Sequence, residues 1–394
     1  MMKKNIGWPL FDKNEKKLVN LAIQKSIHCA SEGKNVGFTK KFEIDFAKYH
    51  KKKYGVACFN CTVGLEALLI CADIGPGDEI LVPAFTYTSS VTSILRVGAI
   101  PIFIDINKRT LCADLDSLKK NISKKTKAIM LVHFGGYLND LKKIKKIAKN
   151  NKLRVVEDAA QAHGSKRDGL YPGEIDAGAI FSFQRNKNMC SGEGGILLTN
   201  NKKIANKFRQ FIWHGTLPGK SNIHNFTGTN FRITEFQSAI LIAQLKKLKR
   251  WNNLRMMECK KLDKFLSNYK MITLNHQNEL EVHARHLYSF RVENKRFRKK
   301  IINNLNKNKI ICGPGYSYPV YKSPLFKNKK FPKYFLKSNI ENFKRWYSNI
   351  KKLNLENSEK VCKENIIIPH FNFLEKNSSK KIFKLIQQTF NEKV

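Results

Sequence analysis

The sequence predicts an α/β fold: a large domain built on a mostly parallel sheet with helices on both faces, then a smaller C-terminal α+β domain. Three observations carry that expectation. Short, nearly continuous apolar runs recur at 56–59, 79–83, 102–105, 128–132 and 153–156, as in strands buried on both faces. Between them, apolar residues return every three or four positions, the spacing of helices packed by one side. From about residue 270 the order changes. Residues 286–292 alternate, 296–308 are helical in pattern, and an apolar run at 366–370 precedes a closing helix at 377–391. At 394 residues the chain can hold one large domain and a smaller one, with the division expected at residue 250 (1–250 and 251–394).

In chain order, residues 12–33 and 40–53 read as helices separated by Gly33 to Gly37, with Phe42, Phe46 and Tyr49 on one face of the second. The strand Val56 to Phe59 leads through Asn60-Cys61-Thr62-Val63-Gly64 into a helix carrying Leu65, Leu68 and Leu69. Strand, small polar turn and helix together aim free backbone N–H groups at whatever lies above the turn, which suits a phosphate. Gly75-Pro76-Gly77-Asp78 turns into the strand 79–83, and Phe85-Thr86-Tyr87-Thr88-Ser89-Ser90 opens the next helix. The strand 128–132 ends on His133-Phe134-Gly135-Gly136, residues 139–150 form an amphipathic helix, and the strand from Leu153 ends near Asp158. Strands at 179–181 and 196–198 flank a loop. Residues 202–212 are helical, 217–229 form a long polar loop, 233–265 read as one long helix, and Gly313 to Pro319 is a rigid loop. Ligands of parallel α/β sheets sit beyond the carboxyl ends of the strands. The turn after Phe59, the loop after Pro83, His133 and Asp158 all fall on that edge.

The charge is lopsided, with 73 Lys+Arg against 31 Asp+Glu and a net +42. Such an excess favours polyanionic partners. The lysines are nonetheless scattered among asparagine and isoleucine. The densest stretches, 142–152 and 246–264, carry apolar residues at helical spacing and read as solvated helix faces. Nucleic acid is not an expected partner, since no zinc-finger or RNA-binding aromatic motif accompanies the charge. Nine cysteines without framework spacing suit free thiols in a reducing cytoplasm. Cys58-Phe59-Asn60-Cys61 is a lone C-x-x-C, so no metal site is expected. No run approaches the ~18 apolar residues of a membrane helix, and no apolar signal segment follows the first residues. A soluble, cytoplasmic protein is expected.

The loop from Phe181 to Gly195 organises the chemistry. Lys187 stands there between an apolar run and a glycine-rich turn, and Val155 to Gln161 reads as a buried strand ending on an acid. Pyridoxal phosphate chemistry needs a lysine to form a Schiff base, an acid to keep the pyridine nitrogen protonated, donors for the phosphate and an aromatic ring against the cofactor face. One sheet edge offers all of these. Lys187 is the lysine and Asp158 the acid. Thr62, the backbone after Asn60 (where Cys61 lies) and Ser182 are phosphate donors. Tyr87 can stack, and Gln161 can reach the ring hydroxyl. Each has a plainer reading alone: Asp158 as a helix N-cap, Ser182 as a strand hydroxyl, Tyr87 as core. Their joint occurrence carries the assignment. Lys187 would also shuttle protons, for which desolvation must lower its pKa.

Several segments resemble the DegT/DnrJ/EryC1/StrS aminotransferase family. They are Asn60 to Leu65, Gly75 to Pro83, Glu157-Asp158-Ala159-Ala160-Gln161-Ala162-His163-Gly164, and Phe181-Ser182-Phe183 with Lys187-Asn188 and Gly192-Glu193-Gly194-Gly195. Gly7-Trp8-Pro9, Phe42-Glu43 with Phe46-Ala47, and Thr229 to Glu235 join them, so the resemblance covers nearly the whole chain. It implies the aspartate-aminotransferase-like fold (fold type I), a homodimer with shared active sites, and Asn230 reaching the phosphate in the partner's site. From the residues alone, Asn230 is a turn residue. Two departures stand out. Cys61 takes the place of the family's usual glycine, and Gln184 follows Ser182-Phe183 where many nucleotide-sugar members carry an aromatic or histidine. Phe181 to Gln184 and Tyr316 to Phe326 are more similar to the branch that includes cyclitol aminotransferases and aminohydroxybenzoate synthases.

The resemblance implies a transaminase that moves an amine from glutamate or glutamine to a keto-sugar, expected to be nucleotide-linked, or to a keto-cyclitol, in amino-sugar, polysaccharide or secondary-metabolite biosynthesis. Two alternatives stand beside it. One is a pyridoxal-phosphate-dependent dehydratase or aromatising enzyme of the same family. The other is a non-catalytic, polyanion-binding regulatory protein, against which the intact Lys187, Asp158 and Gln161 set argues. Loops 214–230 and 313–333 are expected to shape the acceptor pocket.

Overall fold

The computed structural model describes residues 7–25, 37–217, 220–275 and 281–391. The part of the first expected helix beyond residue 25 lies outside them. The large sheet holds β1 (Tyr54–Cys58), β2 (Glu79–Pro83), β3 (Ile100–Ile104), β4 (Thr126–Val132), β5 (Arg154–Asp158), β6 (Gly178–Ser182) and β7 (Gly195–Thr199). Its order is β1-β7-β6-β5-β4-β2-β3. Strands β2 to β6 pair in parallel, while β7 runs against both β6 and β1. The expected mostly parallel sheet is therefore present, with one reversed strand. That reversal follows from the connection, because β6 and β7 are joined by a loop at one end and no helix crosses back between them.

The strands alternate between two cores, as a period of two dictates. Ile80, Val82, Ala128, Met130, Ile180 and Leu197 face one side with Leu65 and Leu68. Leu81, Ile129 and Leu131 face the other side in one cluster, and Ala179, Phe181, Ile196 and Leu198 do so in another. Each fully buried side chain of this size contributes about 1.5–3 kcal/mol. Helices α1 (Lys13–Gln24), α2 (Phe38–Tyr49), α3 (Cys61–Cys71), α4 (Thr88–Arg96), α5 (Leu115–Lys120), α6 (Leu141–Asn150) and α7 (Lys202–Ile212) surround this sheet. A short hairpin, β8 (Thr216–Leu217) and β9 (Lys220–His224), occupies part of the expected polar loop. Helix α8 (Glu235–Leu266) starts from a Thr234/Gln237 capping box and runs without a break through the expected domain division at residue 250.

Beyond α8, a three-stranded antiparallel sheet of β10 (Ile272–Leu274), β11 (Leu287–Val292) and β12 (Asn365–Pro369) packs with α9 (Lys295–Lys307) and α14 (Ser378–Asn391). The sequence expectation placed all of 251–394 in one smaller domain. Within that span, α10 (Pro324–Lys327), α11 (Lys333–Ser338) and α12 (Ile340–Lys352) instead return to the large sheet. Trp346 Nε1 donates to Pro101 O at 3.0 Å and Asn339 Nδ2 to Gly98 O at 2.9 Å. The aromatic-rich segment thereby covers the sheet edge at β3, where unpaired backbone would invite association. Helix α13 (Glu356–Glu364) then leads into β12.

Several histidines are wholly buried. Burial pushes His50 down to about 3 and holds His163, His286 and His370 well below the ordinary histidine value. An unfolded chain takes up these protons near pH 6.5 while the folded chain does not, so the unfolded state binds more protons below that pH. Stability present above pH 6.5 is therefore lost as the pH falls, by up to about 1.4 kcal/mol per pH unit for each histidine, down to about pH 3 for His50. The melting temperature is expected to drop between pH 7 and pH 5; a flat profile there would refute burial of these rings in the neutral form.

Candidate active site

The register of the large sheet brings distant segments to one edge. Val132 pairs with Asp158 and Asp158 with Ile180. Ser182 and Cys58 both pair with Gly195, on either side of β7. The ends of β1, β4, β5 and β6 and the start of β7 thus meet, and the loop carrying Lys187 joins β6 to β7 over the same edge. A cleft of about 730 Å³ opens there. It is lined by Cys61, Thr62, Tyr87, Asp158, Gln161, Ser182 and Lys187 among others. Asn230 is absent from it: the residue is exposed, and its Oδ1 accepts from Arg232 N at 3.4 Å in a local turn.

Asp158 is the buried acid of the cleft, 7% exposed. Its Oδ2 accepts from Ser90 Oγ at 2.7 Å and its Oδ1 from Ala160 N at 3.1 Å. The Cys61 thiol lies 3.9 Å from Oδ1, and burial followed by the Asp158 charge raises its pKa well above the ordinary value. It therefore stays a neutral S–H beside the carboxylate and does not become a second anion. Lys187 is pushed the opposite way. Burial lowers its pKa below the ordinary lysine value, against the opposing pull of Asp158, Cys61 and Glu193. A partly buried amine held toward its neutral form is a nucleophile and a base.

The turn after β1 forms as its sequence suggests. Asn60 caps α3 in extended backbone conformation, its side chain accepting from Val63 N at 3.0 Å. Thr62 Oγ1 donates to Ser89 Oγ at 3.0 Å, so hydroxyls of two helix starts lie side by side. The start of β7 closes against this turn. A Cβ on Gly195 would stand 2.6 Å from Asn60 C and 2.9 Å from Cys61 N, so only glycine allows the approach. Gln161 Oε1 accepts from Gly135 N at 2.6 Å, which orients the amide and leaves its N–H groups as donors. Gly135 has a left-handed φ of 65°, as this tight loop requires. The ring of Tyr87 is 63% exposed at the lip.

Four side chains complete the site in roles that the sequence does not assign to them. Ser90 was seen only as part of a hydroxyl-rich stretch. Glu193 lies in the cleft as a second carboxylate and was read only as part of a glycine motif. Tyr316 forms one wall, packed on Phe85 and Phe134 at centroid distances of 5.1 and 5.8 Å. It comes from the 313–333 loop expected at the acceptor pocket, but lies too far along the chain for sequence alone to set it beside Asp158. His133, fully buried, sets Nε2 at 2.9 Å from Glu157 Oε2, while Asn139 N and Nδ2 approach its Nδ1 at 3.3 and 3.1 Å. Nδ1 thus accepts and Nε2–H donates, fixing one tautomer.

The residues present fit pyridoxal phosphate. A helix start and two hydroxyls offer anion donors, a buried carboxylate and a desolvated lysine share the cleft, and a glycine keeps the turn close. Among the described residues, no cluster of His, Cys, Asp and Glu could hold a metal ion.

Comparison with known proteins agrees with this chemistry. The model of the DegT/DnrJ/EryC1/StrS aminotransferase family matches residues 11–387. A pleiotropic regulatory protein of Geobacillus stearothermophilus is 30% identical over 356 residues, 90% of this chain and 89% of that protein. GDP-perosamine synthase of Escherichia coli O157:H7 is 33% identical over 322 residues, 82% of this chain and 86% of that enzyme. Among solved structures, 3-amino-5-hydroxybenzoic acid synthase superposes with a TM-score of 0.86 at 24% identity, covering 99% of each chain, and so shares the fold.

Proposed function

This chain belongs to the DegT/DnrJ/EryC1/StrS aminotransferase family, and from that premise we propose that it carries an amino group from glutamate or glutamine to the keto carbon of a sugar or cyclitol. The family is one of pyridoxal-phosphate-dependent aminotransferases, and pyridoxal phosphate is the cofactor. The observation that carries the reading is the meeting of Lys187, Asp158 and Gln161 in one cleft above the Thr62 turn. When bound, pyridoxal phosphate supplies an electron sink that lets a proton leave the donor's α-carbon.

In this reading Lys187 Nζ would hold the cofactor, and its lowered pKa suits it to move a proton as well. Asp158, held by Ser90 and the Ala160 N–H, keeps the proton on the pyridine nitrogen. Gln161, fixed by Gly135, offers its amide to the ring hydroxyl. Thr62, Ser182 and the backbone at Cys61 would hold the phosphate, and Tyr87 would cover the ring. Asn230 lies outside this chain's own cleft. The resemblance to the family supports a homodimer in which Asn230 serves the partner's site. Among the described residues, no helix is long and apolar enough to cross a membrane and eight cysteines are free thiols, which supports a cytoplasmic setting.

For the acceptor, the GDP-perosamine synthase similarity supports a nucleotide-linked keto-sugar. The Phe181-Ser182-Phe183-Gln184 segment supports a keto-cyclitol. Half-reactions test both. The yellow holoprotein should bleach with glutamate or glutamine alone and recover its colour with the true keto acceptor. Labelled amino nitrogen from the donor should appear in the product. Bleaching by neither donor would reject the transaminase, and a product without donor nitrogen would favour a dehydratase.

A further inference from the structure

We propose that Arg255 is a positioning residue for the lysine loop, tying Ser182 and Asn188 to the middle of α8 through two chains of buried hydrogen bonds. The first chain runs from Arg255 Nη2, which donates to Asn252 Oδ1 one helical turn earlier. Asn252 Nδ2 donates to His163 O at 2.8 Å, and His163 Nε2 donates to Ser182 O at 2.8 Å. The second runs from Arg255 Nε to Ala284 O at 3.1 Å. That carbonyl also accepts from Asn188 Nδ2 at 2.7 Å, while Asn188 Oδ1 faces His286 Nδ1 at 2.8 Å. Ser182 ends β6 and Asn188 directly follows Lys187, so one guanidinium reaches both ends of the segment that carries the lysine.

The placement makes little sense as packing alone. Arg255 is 0% exposed, and among the described residues it has no carboxylate within ion-pair distance and no acceptor for Nη1. Burying an unpaired charge is costly, and an apolar side chain of similar volume would be cheaper. What the guanidinium offers instead is a rigid fork with donors in fixed directions, which addresses acceptors on two segments at once. A lysine at this position has no such fork. The charge also lies near three buried histidines: after burial, Arg255 is among the groups that hold His370, His163 and His286 below the ordinary histidine value.

This inference rests on Lys187 being the cofactor's lysine. The test compares Arg255→Met, Arg255→Lys, Asn252→Ala and Asn188→Ala with wild type as holoproteins. It records cofactor affinity, the pH dependence of visible absorbance and the melting temperature. Lys187 is faced by Asp158, Cys61 and Glu193 and by the buried histidines His163, His286 and His370, and Arg255 in turn faces those three histidines. Removing the buried positive charge beside those histidines is expected to move the absorbance transition to higher pH. Arg255→Met should show that movement and bind pyridoxal phosphate about 10- to 100-fold more weakly. Arg255→Lys should keep the wild-type transition without regaining full affinity. Asn252→Ala and Asn188→Ala should each weaken affinity without moving the transition. A lower melting temperature with wild-type affinity and transition would overturn the proposal. If Arg255→Met does not fold, unchanged affinity in both asparagine variants overturns it. A wild-type protein with no reducible adduct at Lys187 would sink the underlying assignment instead, so the two failures are distinguishable.

Discussion

Replacing Lys187 with alanine is expected to abolish turnover, by at least about 10⁴-fold, and to leave a folded protein that traps no cofactor on borohydride reduction. The size of the effect comes from two roles in one atom. Nζ is the group that would hold the cofactor and the base that would move the proton, and burial has shifted it toward the neutral form that both roles need. Removing a partly buried amine that is at odds with its surroundings should change stability little, within about 1 kcal/mol. The loop itself stays anchored, because Trp8 Nε1 donates to Arg185 O at 2.7 Å and His370 Nε2 lies 3.1 Å from Asn186 O. Melting temperature and reduction with borohydride check both halves. Near-wild-type turnover would mean that another lysine does the work.

Asp158→Asn is expected to lower kcat by about 10²- to 10⁴-fold while the protein still binds its cofactor and stays yellow. The substitution keeps the shape and removes the charge that would keep the pyridine nitrogen protonated. Ser90→Ala, which removes one hydrogen bond to the same carboxylate, should cost about tenfold or less. The ordering matters more than either number. An Asp158→Asn effect no larger than that of Ser90→Ala would reduce Asp158 to a structural turn residue, since no helix starts after it for it to cap.

The strands and helices around the site were legible because buried parallel strands are nearly uniformly apolar and the helices between them are one-sided. Val155 to Asp158 and Ala179 to Phe181 could be placed from those patterns, and with them the sheet edge that collects Asp158, Ser182 and Lys187. The reversal of β7 was not legible, since Gly195 to Thr199 is as apolar as its parallel neighbours and carries no mark of direction. Nor was the return of residues 320–352 to the large sheet. Phe331, Phe335 and Trp346 mark a core, but nothing local says which core they join. The same limit explains the site residues whose partners the sequence does not reveal. Tyr316 and the His133–Glu157 pair gain their positions from tertiary contact, whereas Thr62 and Gln161 sit at fixed short distances from strand ends. The strand pair at 216–224 is not legible because its segments are short and mostly polar and show no sustained alternation.

The central claim is that one lysine among the many in this chain carries the cofactor. Reducing the yellow protein with borohydride, digesting it and mapping the phosphopyridoxyl-labelled peptide by mass spectrometry tests that claim most directly. The account predicts one stoichiometric label, on Lys187, within the segment from Arg185 to Gly195. A label on any other lysine, or none on a protein saturated with pyridoxal phosphate, would contradict it.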